Sequence, residues 1–391
     1  MVVIKKILLP TLLFLQLITT NSAFATLVSG RVTIEQGATP VQFANVFLAN
    51  TTFGTITQVD GSFTLVVNKP GTYLLTVSHM SYQTYFLEIN VGFTDIKGLS
   101  VVLKEKTREL DAVKISAKDS FRKENMELFV SKFLGNTRNS DKCQIRNPNA
   151  IRFFKNIKKG YVKAFADSMI VIENRSLGYL IRYKLDYFYV DGKETVFYGT
   201  PLFEDNLQNI SNKKKVLERR RQAYLGSMQH FIHSLYTDSM GQQGFRACKI
   251  EEKPQDNNNL AYGLLSSFAF VSKRGNHLVQ LKDTVNISSY LSADSAHRFK
   301  RLKYTNPFRI VYLKSEEEFR YRNDRQYWNI ERKRNQQATL IKVLTGDGLK
   351  FFENGAWSIS DVVVCGYMGY KGSLSDVLPY NYDLREGVGM E

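Results

Sequence analysis

The stretch VDGSFTLVVNKPGTYLLTVS, residues 59–78, decides the fold class of the N-terminal part of the chain. It contains two runs rich in β-branched and aromatic residues, Ser62–Val67 and Thr72–Ser78. Each run follows a dipeptide whose backbone preferences favour a tight turn, Asp60-Gly61 and Pro70-Gly71. Strands separated by turns at this spacing predict an antiparallel β-sandwich.

The same pattern continues on both sides of this stretch. Further β-rich runs lie at Leu27–Ile34, Phe43–Leu48, Thr84–Val91, Leu99–Leu103 and Ala112–Ser116. Together these runs predict a seven-stranded antiparallel β-sandwich over residues 26–117. A chain of 391 residues is longer than one hydrophobic core usually serves. Residues 118–391 are therefore expected to form a second, larger domain.

Several short segments of the predicted sandwich occur in a specific order. They are Ser29-Gly30-Arg31-Val32, Pro40–Val46, Gly54-Thr55-Ile56-Thr57, Asp60-Gly61-Ser62-Phe63 and Pro70-Gly71-Thr72-Tyr73. In this order they resemble the carboxypeptidase regulatory-like domain, a transthyretin-type β-sandwich that often begins secreted bacterial proteins and TonB-dependent transporters. One departure is His79-Met80-Ser81-Tyr82, where the family usually has glycine before the aromatic residue. The resemblance implies a fold with no catalytic apparatus of its own.

The first 25 residues have the three parts of a secretory signal peptide. Lys5 and Lys6 are followed by the apolar run Ile7–Ile18 and by the small-x-small site Ala23-Phe24-Ala25. The apolar run is shorter than the roughly 20 residues that a membrane-spanning helix needs. The sequence therefore predicts a cleaved signal peptide at 1–25, no transmembrane span in the mature chain, and export to the periplasm, the outer membrane or the cell surface.

The charge of the chain predicts an anionic partner. Lysine and arginine number 53 against 37 aspartates and glutamates, which gives a formal net charge of +16. Such a charge attracts lipid head groups, which predicts peripheral membrane association, and it attracts acidic glycans or phosphorylated envelope polymers. Nucleic acid would fit the same charge, but the export signal argues against it. An alternative is that the charge only aids solubility.

The second region, 118–391, is predicted to be a β-rich α+β domain. A helical apolar stripe at Met126–Leu134 precedes a β-meander in which Tyr183, Tyr187 and Tyr189 are expected to share one face. Such a face could stack sugar rings or simply stabilise the sheet. Five segments of this region are similar to exported proteins of unknown function that carry the regulatory-like domain: Phe133–Gly135, Cys143–Pro148, Glu173–Tyr179, Arg221–Ser227 with His230-Phe231, and Asp376–Tyr380.

The densest basic cluster gives the candidate binding site. Residues from Asn212 to Asp238 are predicted to form one helix that begins with this cluster. The candidate binding residues are Lys213, Lys214, Lys215, Arg219, Arg220, Arg221, Tyr224 and His230. A solvated helix face is the alternative explanation of the cluster.

The sequence lacks the motifs of metal and nucleotide enzymes. No histidine begins the His-x-x-Glu pair that a zinc carboxypeptidase needs, and no phosphate loop or dinucleotide fingerprint occurs. We therefore predict no metal, no cofactor and no enzyme activity. Cys143, Cys248 and Cys365 allow one disulfide and one free thiol in an oxidising compartment, for example Cys143 with Cys248.

Three functional hypotheses remain at this point. The first is a non-catalytic envelope protein that binds or scaffolds an anionic glycan or a protein partner. The second is a hydrolase of an envelope polymer, with Arg221, Tyr224, Ser227 and His230 lining its cleft. The third is an accessory to a TonB-dependent outer-membrane transporter.

Overall fold

The computed structural model describes residues 25–34, 39–106, 121–192, 195–254, 276–294, 298–323 and 336–385. The predicted signal peptide and the predicted strand Ala112–Ser116 lie outside the described residues, as does the predicted boundary between 117 and 118. Within the described ranges, no helix is long and apolar enough to cross a bilayer.

The described elements are mainly β-strands. The strands are β1 Thr26–Ile34, β2 Asn45–Leu48, β3 Gly54–Ile56, β4 Ser62–Val67, β5 Gly71–Ser78, β6 Tyr85–Val91, β7 Ile96–Leu103, β8 Cys143–Ile145, β9 Ile151–Asn156, β10 Tyr161–Ala166, β11 Ile170–Asn174, β12 Tyr179–Val190, β13 Thr195–Asp205, β14 Phe245–Pro254, β15 Asn276–Thr284, β16 Leu291–Asp294, β17 Phe299–Leu302, β18 Phe308–Glu316, β19 Gln336–Val343, β20 Leu349–Phe352 and β21 Val362–Gly366. The helices are α1 Arg122–Phe133, α2 Lys213–Tyr224, α3 Met228–Tyr236, α4 Met240–Gln243, α5 Phe319–Asn323 and α6 Tyr367–Lys371.

The first seven strands form the predicted β-sandwich. One sheet has the order β4-β1-β7 and the other β3-β2-β5-β6. Alternate side chains of β4, among them Phe63 and Leu65, point into the core between the two sheets, as the period of two along a strand requires. The predicted mainly β chain with an N-terminal sandwich and a larger β-rich region is confirmed. The sandwich is not antiparallel throughout, because β1 and β7 pair in parallel.

The described residues of the larger region form three more sheets. In the first, β12 pairs along its length with β13, while its other edge is shared by β11 and β10. Helix α1 packs on this sheet through Phe129 and Phe133, whose rings contact Phe188 and Tyr183. The second sheet has the order β15-β14-β18-β19-β21 and shares a core with α3, and the third has the order β16-β17-β20.

A β-bulge in β12 contradicts the predicted common face of three tyrosines. The register passes from Leu185 opposite Gly199 to Tyr187 opposite Tyr198, which leaves Asp186 as an extra residue. Tyr183 before the bulge is buried under α1, whereas Tyr187 and Tyr189 after it are only half-buried on the outer face. The extra residue reverses the alternation of side chains, a change that the sequence pattern does not reveal.

The sandwich is joined to the larger region by backbone and side-chain hydrogen bonds. Thr51 forms a parallel bridge with Leu202 of β13. The backbone N–H of Tyr380 donates to the carbonyl of Asn50 at 2.7 Å, and the side chain of Asn354 donates to the carbonyl of Thr72 at 3.1 Å. The C-terminal segment 372–385 therefore connects both parts of the chain.

Candidate functional site

Helix α2 presents its basic residues on an outward face. The helix begins after Asn212, whose side-chain oxygen accepts a hydrogen bond from the backbone N–H of Lys215 at 3.0 Å, which is N-capping geometry. The apolar Val216 is buried, and so is Tyr224, which corrects the prediction that Tyr224 belongs to an exposed binding surface. Four basic side chains lie on the opposite side, exposed or half-buried, and we call them the basic face: Lys214, Lys215, Arg219 and Arg221. Lys213 is half-buried, and its ammonium group donates to Gln208 at 2.9 Å.

Arg220, in contrast, does not belong to a binding surface, which corrects its prediction. Its side chain is fully buried, and its guanidinium donates to both carboxylate oxygens of Asp205 at 2.9 and 3.0 Å. It also donates to the carbonyls of Leu177 and Gly178, and lies 3.9 Å from the centre of the Tyr179 ring. Partial burial acts to raise the pKa of Asp205, but the hydrogen bonds from Arg220 and from the backbone N–H of Leu207, together with the positive charge of Arg220, hold that pKa below its usual value. Arg220 therefore anchors α2 to the sheet.

The predicted single helix over 212–238 is wrong, because the chain breaks between α2 and α3. Gly226 has a φ of +74°, a left-handed conformation that favours glycine. A Cβ at this position would come within 2.2 Å of the Gln337 side-chain oxygen. The hydroxyl of Ser227 then caps α3 by accepting from the backbone N–H of His230 at 3.2 Å.

His230 is a structural residue rather than a surface ligand, which corrects its place in the predicted binding set. Its ring is buried among Tyr224, Phe245 and Tyr312. Nδ1 accepts from the backbone N–H of Gly226 at 3.1 Å, so Nε2 carries the proton toward Gln243 at 3.2 Å. Burial lowers the pKa of His230 to about 4, so the ring is neutral near pH 7.

The hydrolase arrangement is not formed by these residues. The Ser227 hydroxyl meets the backbone of His230, whereas the imidazole nitrogens face Gly226 and Gln243. A serine nucleophile needs a hydrogen bond to the base itself. Tyr224 is buried, and Arg221 points outward from α2. Ser227 and His230 therefore serve the turn between the two helices.

The buried imidazole makes stability depend on pH. Because the folded-state pKa of His230 is about 4 and the ordinary value is 6.5, the unfolded chain binds the proton first as the pH falls. The free energy of unfolding therefore falls as the pH drops from 6.5 toward 4. Titration of His230 should lower this free energy by about 2 kcal/mol between pH 7 and pH 5. Urea unfolding of His230→Phe should show a fall in unfolding free energy between pH 7 and pH 5 that is about 2 kcal/mol smaller than in the unmodified chain. An equal loss in the variant and the unmodified chain would contradict the assignment.

A cleft of about 350 Å³, which was not predicted from the sequence, lies beside the α2–α3 turn. Its walls are mostly apolar and include Met228, Trp357, Met368 and Tyr380, and Asn50 of the sandwich contributes to its rim. Lys371 and Asp376 also line it. These residues come from distant parts of the sequence, so no local motif announces the cleft.

The two charged residues of the cleft both form hydrogen bonds with other segments of the chain. The Lys371 ammonium donates to the carbonyls of Gln222 and Leu225 at 2.7 and 2.8 Å, which caps the end of α2 where a cation is favourable. Burial lowers the pKa of Lys371 to about 8. The Asp376 carboxylate accepts from Asn139 at 2.7 Å and from Ser375 at 2.9 Å, and burial raises its pKa. Both groups tie segments together.

The described residues form neither a metal site nor a disulfide bond. Over the described ranges, no three histidine, cysteine, aspartate or glutamate side chains come together in a way that could hold a metal ion. None of Cys143, Cys248 and Cys365, which all lie in the described part of the chain, forms a disulfide bond, so the disulfide between Cys143 and Cys248 is absent. Burial raises the pKa of the Cys143 thiol to about 12, which leaves it protonated and unreactive near neutral pH.

Solved structures resemble the chain only remotely. Two complexes of a type II cohesin with an X-dockerin module from Acetivibrio cellulolyticus match at 23% and 25% identity, each over 20% of this chain and with a TM-score of 0.18. The chain spans 56% and 58% of the length of those two chains. A protein of unknown function from Bacteroides fragilis NCTC 9343, described as a candidate membrane-associated protein, matches at 10% identity over 88% of this chain and 95% of its own, also with a TM-score of 0.18.

The sandwich matches a known protein family. No curated protein matches the chain. Residues 28–115 match the CarboxypepD_reg-like domain, and the described part of this range holds the strands of the β-sandwich. This domain is regulatory and non-catalytic in kind. The chain therefore contains a CarboxypepD_reg-like domain at residues 28–115, followed by a larger β-rich region.

Proposed function

We propose that this chain is an exported, non-catalytic binding protein, and that the basic face of α2 holds it to an anionic polymer of the cell envelope. The observation that carries the proposal is the contrast between adjacent arginines. Arg220 is fully buried against Asp205, while Arg219 and Arg221 on either side of it point outward. Export rests on the predicted signal peptide at residues 1–25.

The state of the basic side chains supports binding. Within the described residues, none of Lys214, Lys215, Arg219 and Arg221 forms an ion pair, and the one acidic residue of α2, Glu218, accepts from Gln222 at 2.8 Å. Its single negative charge is outnumbered by the four positive charges of the basic face. Their positive charge therefore stays available to a partner. Attraction of this kind is long-ranged and weakens as salt is added.

The position of α2 is fixed by contacts of its C-terminal half. Arg220 binds it to the sheet, and Lys371 caps its last turn. A partner that binds the basic face therefore meets a helix already held in place. Little ordering entropy is lost on binding in such a case, which favours affinity.

Charge reversal on the basic face is expected to abolish retention on a polyanion. The test variant is Lys214→Glu with Lys215→Glu and Arg219→Glu; glutamate in the first turn also suits the helix dipole, so the variant should fold. We expect elution from immobilised polyphosphate to shift from moderate to low salt. The measurement is the salt concentration at half-elution of the mature protein.

The control variant has the same total charge as the charge-reversed α2 variant. Arg246→Glu with Lys249→Glu and Lys303→Glu changes three exposed basic residues away from α2 by the same amount. We expect this variant to elute close to the unmodified protein. If both variants lose retention equally, the net charge rather than the basic face is responsible, and the proposal fails.

A further inference from the structure

The outer face of the sheet that contains β12 carries a row of aromatic rings. We call Phe154, Tyr161, Tyr187, Tyr189 and Tyr198 the aromatic face. The rings of Tyr187 and Tyr198 are stacked at 5.2 Å between centres with 19° between their planes, and those of Tyr161 and Tyr189 lie 5.3 Å apart. Phe154 continues the row, 6.1 Å from Tyr161. The rings span four neighbouring strands, β9, β10, β12 and β13.

The β-bulge at Asp186 is what turns these tyrosines outward. Had the alternation continued unchanged from Tyr183, Tyr187 and Tyr189 would face the core. The extra residue places Phe188 in the core, where it contacts Phe129 of α1, and leaves its two tyrosine neighbours outside. Bulges commonly re-aim side chains beside functional sites.

The two halves of the same outer face differ in chemistry. The half near β8 and β11 is covered by ion pairs, Arg182 with Glu204 and Arg146 with Glu173, as is usual for a solvated sheet. The other half carries the ion pair of Arg152 with Asp167 on its edge strand β9 and otherwise presents rings to water: 57% of Tyr198 is exposed, and 47% of Phe165 on β10. Aromatic surface left open in this way points to a partner.

Positive charge surrounds the aromatic face. The Lys163 ammonium lies 5.8 Å from the centre of the Tyr161 ring, and Lys163 is opposite Tyr189 in the strand register. Lys158 and Lys159 are exposed in the turn between β9 and β10, next to Tyr161. Two carboxylates also lie near: Asp191 accepts from the hydroxyl of Tyr189 at 3.0 Å, and Asp186 pairs with Lys184 at 3.1 Å. The four lysines outnumber these two carboxylates, so the local charge is positive. The surroundings therefore suit an anionic partner.

We propose that the aromatic face binds the sugar rings of an acidic glycan. Sugar rings can lie on aromatic rings through their apolar C–H faces, while lysines beside the rings pair with carboxylates. An open row of rings on a sheet fits an extended chain of repeating units, and Tyr187 and Tyr189 are spaced along β12 by about 7 Å. The inference deepens the proposed function, because it names a glycan as the envelope polymer, and it relies on that proposal for the location of the partner.

The test compares two anionic polymers that differ in whether they contain rings. Affinity electrophoresis of the mature protein would use polygalacturonate, which has sugar rings, and polyphosphate, which has none. For Tyr187→Ala with Tyr198→Ala we expect the Kd for polygalacturonate to rise about tenfold and that for polyphosphate to stay within about twofold. Tyr198→Phe, which keeps the ring, should retain binding, and Tyr198→Ala alone serves if the double variant does not fold.

The controls separate the two proposals. Phe86→Ala with Phe319→Ala removes two exposed aromatic residues elsewhere and should leave both affinities unchanged. The charge-reversed α2 variant should weaken binding to both polymers; if it does not, the proposed function fails while the tyrosine result still decides this inference. An unchanged Kd for polygalacturonate in Tyr187→Ala with Tyr198→Ala overturns the inference that the aromatic face binds an acidic glycan. Tighter binding of an oligo-thymidylate than of polygalacturonate also overturns it, because base stacking would then explain the rings.

Discussion

Arg220→Ala is expected to lower the free energy of unfolding by about 3–5 kcal/mol. The substitution removes a fully buried guanidinium that donates to Asp205 and to the carbonyls of Leu177 and Gly178. It leaves those acceptors without their donor and opens a void beside the ring of Tyr179. The measurement is the unfolding free energy from urea titration of the mature protein at pH 7.

The neighbouring arginines provide the control. Arg219→Ala and Arg221→Ala change side chains that point outward from the same helix, and each should alter stability by no more than about 0.5 kcal/mol. The same two substitutions should lower retention on a polyanion. If Arg220→Ala were as mild as its neighbours, the buried anchoring of α2 would be wrong.

Asp376→Ala should cost a similar amount, about 3–5 kcal/mol. Its carboxylate accepts hydrogen bonds from Asn139 and Ser375, and its charge offsets that of the buried Lys371. Without Asp376, a buried ammonium loses its nearby opposite charge, and the donors of Asn139 and Ser375 lose their acceptor. Urea unfolding at pH 7 measures the effect.

Two further variants test whether the loss of stability in Asp376→Ala comes from the buried position of Asp376 and from its charge. Asp376→Asn keeps the shape of the side chain and an acceptor oxygen, so its cost should be lower than that of Asp376→Ala. Asp383→Ala, in the same C-terminal segment, removes a partner of Arg385, whose side chain is 88% exposed, and should cost at most about 1 kcal/mol. Equal losses at positions 376 and 383 would show that Asp376 does not stabilise the buried network.

The local sequence pattern was sufficient to predict the β-sandwich. The turn dipeptides Asp60-Gly61 and Pro70-Gly71 stand immediately before or at the start of β4 and β5, where they were expected. Strand β2 begins at Asn45, two residues later than predicted, because Phe43 has a φ of +57° that interrupts the extended backbone. Backbone preferences of a few residues act locally, which is why sequence reasoning captures them.

The sequence predictions are wrong where contacts with residues far away in the sequence determine the structure. Arg220 is one of several basic residues in a run, and only Asp205 and the carbonyls of Leu177 and Gly178 distinguish it. Gly226 breaks the predicted helix because Gln337 and Tyr312 leave no room for a side chain. Neither set of contacts follows from helical periodicity.

The candidate site was therefore predicted in part. The basic run correctly predicted a helix that begins near Asn212, and the structure places four of the six predicted basic residues on its outward face. The cleft with Lys371 and Asp376, and the bulge that turns Tyr187 outward, depend on tertiary packing and on one extra residue in a strand. Their role in binding stays a prediction.

Photo-crosslinking in intact envelopes tests the central claim most directly. A photoreactive amino acid would replace Arg219 on the basic face in one variant and Arg246, exposed on β14, in the other. We predict that position 219 yields an adduct containing a carbohydrate or phosphate polymer, that position 246 does not, and that the adduct disappears at high salt. Equal adducts from both positions, or an adduct from 219 that contains only protein, would contradict the account.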